Sequence, residues 1–114
     1  MESTEYQDIS LKLAPLLDAL SHPARLQILL HLARYNGCPA GSISERLPLS
    51  KSTVSQHLAK LKEAGIVVSI PDGLCQRYSL NEGVISLLDK YYSSYFKSIR
   101  ELSKSKKNCP ACGK

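Results

Sequence analysis

The stretch "KKNCPACGK" separates Cys109 and Cys112 by two residues, a spacing at which two thiolates can turn toward one metal ion or oxidise to a disulfide with each other. Lys106 and Lys107 just before the pair favour the thiolate form, which aids metal capture and oxidation alike. Two thiolates are only half a site. A structural zinc takes four ligands, so the pair has to borrow Cys38, Cys75 or the same pair from a second copy. Thiolates are soft donors and select against magnesium and calcium.

Three roles are open to the pair. It can be an inducer site completed by Cys38 or Cys75, a redox switch that closes a disulfide, or a tail that takes no part in regulation. A thiol oxidoreductase is the alternative from a different class. Such enzymes set C-x-x-C after a strand and at a helix N-terminus, whereas here it follows a basic run at the end of the sequence. The sequence holds no Gly-rich phosphate loop, no H-E-x-x-H and no acyl-transfer nucleophile motif, so the reading is a protein that is not an enzyme.

At 114 residues and 43% hydrophobic content, the chain has room for one compact domain with a modest core. Its formal charge of +5 is unevenly placed. Glu2, Glu5, Asp8 and Asp18 face only Lys12 at the start, while Lys97, Arg100, Lys104, Lys106, Lys107 and Lys114 face only Glu101 at the end. The basic half suits an anionic partner, nucleic acid first. The acidic start lacks the basic and apolar regions of a secretory signal, and no stretch nears the roughly 20 apolar residues of a membrane span. These features predict a cytoplasmic protein without membrane contact, in which structural disulfides are not expected.

The elements that must position these residues follow from periodicity. Ile9, Leu13, Leu16, Leu17 and Leu20 recur at three and four, predicting a helix over 6–20 that starts late or bends at Pro15. Ser21 is expected to cap a second helix with Pro23 in its first turn, ended near Asn36 and Gly37. A short segment from Ser42 to Leu47, a Pro-Leu-Ser turn, and a helix capped by Ser50 and stopped at Gly65 read as a helix-turn-helix over 42–65. "IVVSI", a turn pair at Asp72 and Gly73, and "LCQRYSL" predict a hairpin, or wing, over 66–80. Asn81 can cap a long helix over 82–103, striped by Ile85, Leu88, Tyr92, Tyr95, Ile99 and Leu102. That stripe, about 27 Å long at 1.5 Å per residue, needs a cover, and the first helix plus a second copy supplies one. The fold class is mainly α with a small β-hairpin: one winged helix-turn-helix domain over 1–104 with about five helices, dimeric through the first and last, and a basic cysteine-containing tail over 105–114.

With Val54, Leu58 and Leu61 turned inward, the outer face of the fourth helix carries Ser52, Thr53, Ser55, Gln56, Lys60 and Glu63, with Lys51 at its start. Small hydroxyls approach phosphates and base edges closely, and Gln56 can pair bidentately with adenine. His57 lies on the flank of the buried stripe, as a packed residue or a phosphate contact. Arg77 in the second wing strand can reach a phosphate or the adjacent minor groove.

Together, "ALSHPARLQILLHL" and "ISERLPLSKSTVSQHLAKLKEAGIVVSIPDGLCQRYSL" resemble the ArsR/SmtB family of winged helix-turn-helix repressors, over roughly Ala19 to Leu80. The resemblance implies a homodimer packed through its first and last helices, with the fourth helix in the major groove of double-stranded operator DNA and the wings on flanking DNA. It also implies a repressor released by an inducer, often arsenite, Zn(II), Cd(II) or Pb(II). The family's effector sites do not carry over. Its thiol site on the third helix aligns with Pro39 and Gly41, one residue past Cys38, and its zinc site on the last helix finds Asp89 but no histidine. The persulfide-sensing branch places a cysteine within the second helix, where this chain has leucines. "CPACG" itself resembles half of a zinc-ribbon knuckle, and arsenite is matched to three thiolates. The expected effector ligands are therefore Cys109 and Cys112, joined by Cys38 or Cys75, with a thiol-redox response as the alternative.

Overall fold

The computed structural model describes residues 3–110, with side chains from residue 8 onward. Its order is α1 (Ser3–Leu20), α2 (Pro23–Arg34), α3 (Ala40–Arg46), α4 (Lys51–Glu63), β1 (Val67–Asp72), β2 (Cys75–Leu80) and α5 (Glu82–Lys104). Ile28 and Leu32 from α2, Ile43 from α3, and Val54, Leu58 and Leu61 from α4 meet Ile66 and Val67 in one apolar cluster. Each is at most 2% exposed, so the inward stripe of α4 is committed to the core and its opposite face is free for other work.

Local chemistry departs from expectation at four places. α1 runs unbroken through Pro15, which removes the N–H partner of the Leu11 carbonyl, at a place where both Pro15 and Leu11 are exposed. The cap of α2 is His22, whose Nδ1 accepts from Ala24 N at 3.2 Å, while Ser21 Oγ turns back to donate to the Asp18 carbonyl at 2.7 Å. α3 begins at Ala40, two residues before Ser42, because Pro39 in extended conformation lets the Ser42 and Ile43 amides reach its carbonyl. In the wing, Asp72 pairs with Cys75, so the two turn residues are Gly73 and Leu74. Gly73 takes φ +63 at the first central position, where a type II′ hairpin turn demands glycine. Pro71 is thereby a strand residue opposite Gln76, tolerated because the sheet has only two strands.

The wing is tied down at its base. Cys38 and Tyr78 exchange backbone hydrogen bonds of 3.0 and 2.8 Å, which join the α2–α3 loop to the edge of β2. Asn81 N donates to the Ile66 carbonyl at 2.9 Å and Asn81 Oδ1 accepts from Val84 N at 3.3 Å, so α5 starts against the end of α4.

α5 then leaves the core and packs against α1, and none of its residues is buried. Leu87, Tyr92, Phe96, Ile99 and Leu102 stand exposed along it, with Tyr92 and Phe96 rings 4.7 Å apart. Among the described residues, no helix is long and apolar enough to cross a membrane.

Candidate nucleic-acid interface

α4 is a well-terminated helix. Ser50 Oγ accepts from Thr53 N at 3.2 Å and satisfies one of its free N-terminal donors. At the other end Gly65, at φ +81, donates to the Lys62 carbonyl at 2.9 Å and Ile66 N donates to the Leu61 carbonyl at 3.0 Å, the paired bonds of a Schellman motif. Both ends are held by short-range chemistry, and three buried side chains set the rotation about the axis.

That rotation divides the expected reading surface. Lys51, Ser52, Gln56 and Lys60 are exposed, and Thr53, Ser55 and His57 are half-buried. Thr53 Oγ1 accepts from Ser50 Oγ at 2.9 Å, so its hydroxyl serves the cap. Lys60 lines a groove with Asp18, Arg25 and Glu63 on the side facing α1 and α2, away from the wing. Ser55 lies on the other side and lines a notch with Lys51 and Gln76. Ala59, which sequence reasoning passed over, is exposed four residues after Ser55, where a methyl can meet a thymine methyl.

His57 is engaged within the chain. Its Nδ1 accepts from Arg25 Nε at 3.2 Å, and its ring centroid lies 4.5 Å from that of His22. Burial, and then His22 and Arg25 beside it, hold the imidazole below its ordinary value, so the neutral form is favoured. Arg77 is engaged too: Nε donates to Asp72 Oδ2 at 2.6 Å and Nη1 to the Gly37 carbonyl at 3.0 Å. Arg77 thus braces the hairpin against the α2–α3 loop while its side chain stays 52% exposed.

The notch between the wing and the start of α4 adds residues that the sequence reading left out. Leu74 and Gln76 form one wall, opposite Lys51 and Ser55. The signal for Leu74 lay in the turn: with glycine required at the first central position, the residue after Gly73 has to stand at the tip.

The thiols are spread out. Cys38 is buried with Sγ donating to the Tyr35 carbonyl at 3.0 Å, Cys75 is exposed in the wing, and Cys109 is exposed beyond the end of α5. Cys112 lies outside the described residues. Among the described residues of one chain, no three His, Cys, Asp or Glu side chains come together as a metal site. The described thiols therefore do not by themselves fit zinc or arsenite.

Comparison with known proteins agrees with this geometry. A helix-turn-helix domain family matches residues 20–70. The transcriptional regulator YgaV of Escherichia coli K12 is 38% identical over 88 residues, spanning 76% of this chain and 89% of that protein. Reduced HlyU from Vibrio cholerae superposes with a TM-score of 0.63 at 38% identity, covering 77% of this chain and 96% of that one. An ArsR-like transcriptional regulator from Rhodococcus sp. RHA1 gives a TM-score of 0.64 at 25% identity over 86% and 95% of the two chains. With an outward-facing capped helix beside a hairpin wing, and with these relatives, the chain belongs to the ArsR family of winged helix-turn-helix transcriptional regulators.

Proposed function

We propose that the chain is a cytoplasmic repressor that binds double-stranded operator DNA as a homodimer, one α4 to each of two inverted half-sites. The observation that carries the DNA reading is the start of α4, where Lys51 and Ser55 line the notch with the wing and Ser52 and Gln56 are exposed, while the opposite face is locked in the core. Support for the dimer comes from the uncovered apolar stripe of α5, since exposed contiguous apolar faces mark association surfaces. A two-fold pair spaces its reading helices for half-sites about 34 Å apart.

The experiment is fluorescence anisotropy against a duplex selected by the protein from a random pool, with sedimentation of the free protein. A palindromic preference and a dimer are expected. Binding that is equal on all duplexes would sink the regulator reading, and a monomer in both the free and the bound state would sink the dimer.

For regulation we propose a thiol input at Cys109 and Cys112, answering a soft metal or metalloid: arsenite, Zn(II), Cd(II) or Pb(II). The exposure of Cys109 supports it, and completing the ligand set rests on Cys112 with thiols of the partner copy, or on Cys75. Buried Cys38 is the weakest candidate. Titrating the DNA complex with each ion under reducing conditions should release DNA from the wild type and not from the C109S/C112S variant. Release by a peroxide or persulfide donor alone would assign the pair to redox sensing.

A further inference from the structure

Arg77 and Asp72 are the only charged residues in the wing, and they are paired with each other, so the hairpin carries no net charge. What it offers is apolar. Leu74 at the tip is 107% exposed and Ile70 behind it 65% exposed. Leu74 is also continuous with the DNA-facing surface, since it shares the notch with Lys51 and Ser55 of α4. A backbone strand running past the start of a helix seated in the major groove separates that groove from the next minor groove, on the wing's side.

We propose that Leu74 is an apolar wedge that enters the minor groove flanking the half-site read by α4 and partly unstacks one base step there. Leucine and isoleucine are among the side chains that minor-groove proteins insert between steps. The pinned Arg77 gives the hairpin its aim: with Nε on Asp72 and Nη1 on the Gly37 carbonyl, the tip is held relative to the loop that leads into the helix-turn-helix. Unstacking is easiest at the flexible pyrimidine–purine steps TA and CA/TG. The protein thereby gains a sequence preference outside its half-sites at a position where it makes no hydrogen bond to a base.

This inference rests on the reading of α4 as the DNA-binding helix, and the test separates the two. The probe is the duplex selected by the wild type, carrying 2-aminopurine at each flanking position in turn, with the full-length chain as wild type, L74M, L74S and Q56A. Because the Leu74 side chain is fully in solvent, L74S should keep the wild-type unfolding midpoint. It should bind about 10-fold more weakly with an unchanged salt slope, and lose both the 2-aminopurine brightening and the preference for TA in the flank, whereas L74M keeps all three. Wild-type affinity in L74S, or weaker binding with no 2-aminopurine signal in the wild type, overturns the wedge. A change in the sedimentation of free L74S without a change in DNA binding overturns it in favour of a protein contact. If Q56A keeps the wild-type affinity on every duplex, the failure belongs to the α4 reading and not to the wing.

Discussion

Arg25 Nε on α2 donates to His57 Nδ1 on α4 across 3.2 Å, so α2 holds the flank of α4 through a neutral imidazole. The His22 ring lies 4.5 Å from that of His57, tilted by 53°, and Asp18, Lys60 and Glu63 line the groove beside Arg25. Protonating His57 removes the acceptor and sets a cation against Arg25. His31 is held low as well, by burial and then by Arg46.

Both histidines therefore bind fewer protons in the folded than in the unfolded chain. Their contribution to stability is fully present above the ordinary value of 6.5 and is lost as pH falls below it toward the lowered folded values. Urea unfolding midpoints should fall between about pH 7.5 and pH 5.5, and less steeply in His57→Gln, whose amide can still accept from Arg25. An identical pH slope in the variant would remove His57 from this account.

The ends of α4 depend on two small residues. Ser50→Ala removes the acceptor for Thr53 N and should lower stability by about 1 kcal/mol. Gly65→Ala places a Cβ only 3.9 Å from Val84 Cγ2, an ordinary contact, so its loss of about 1 kcal/mol comes from the left-handed backbone at φ +81. Denaturant titration measures both, and two variants as stable as the wild type would show that these ends are held by packing alone.

On DNA, Gln56→Ala should lower affinity for the selected duplex by roughly 1–3 kcal/mol and relax preference at one position. Lys51→Ala should weaken binding on all sequences and reduce the salt slope by about 1. If Gln56→Ala loses equally on every duplex, it only holds the backbone.

Phe96 lies in the exposed stripe of α5, with its ring 4.7 Å from Tyr92 and edge-on to Tyr95 at 5.2 Å. Phe96→Glu should leave the core intact and yield a monomer by sedimentation, with loss of cooperative binding to the palindromic duplex. A dimer that survives this change lies on another surface.

The elements themselves were legible because their signals are local. The three-to-four spacing of Val54, Leu58 and Leu61, the hydroxyl of Ser50 and the glycine at 65 act within a few residues, and the structure realises each of them. Where two local signals competed, the sequence alone did not choose: Ser21 and His22 can both cap α2, and the nearby Asp18 carbonyl drew Ser21 away. The hairpin was foreseen, but its turn moved by one residue once the strands paired, which put Leu74 at the tip.

The fate of long side chains was a tertiary decision. Arg77 and His57 are DNA-contact candidates by residue type and position, and each also has an intrachain partner, but Gly37 lies 40 residues from Arg77 and Arg25 lies 32 from His57, distances at which no sequence pattern reports a hydrogen bond. The cysteines follow the same logic, since thiolates at a two-residue spacing announce metal or redox chemistry, but only the packing of the α2–α3 loop onto β2 buries Cys38. By itself the sequence determined which helices form, which faces are apolar and that α4 presents a polar start, because propensity, capping and periodicity act over one or two turns. Only the tertiary structure decided which of those polar residues remain available, because that depends on what distant segments bring against them.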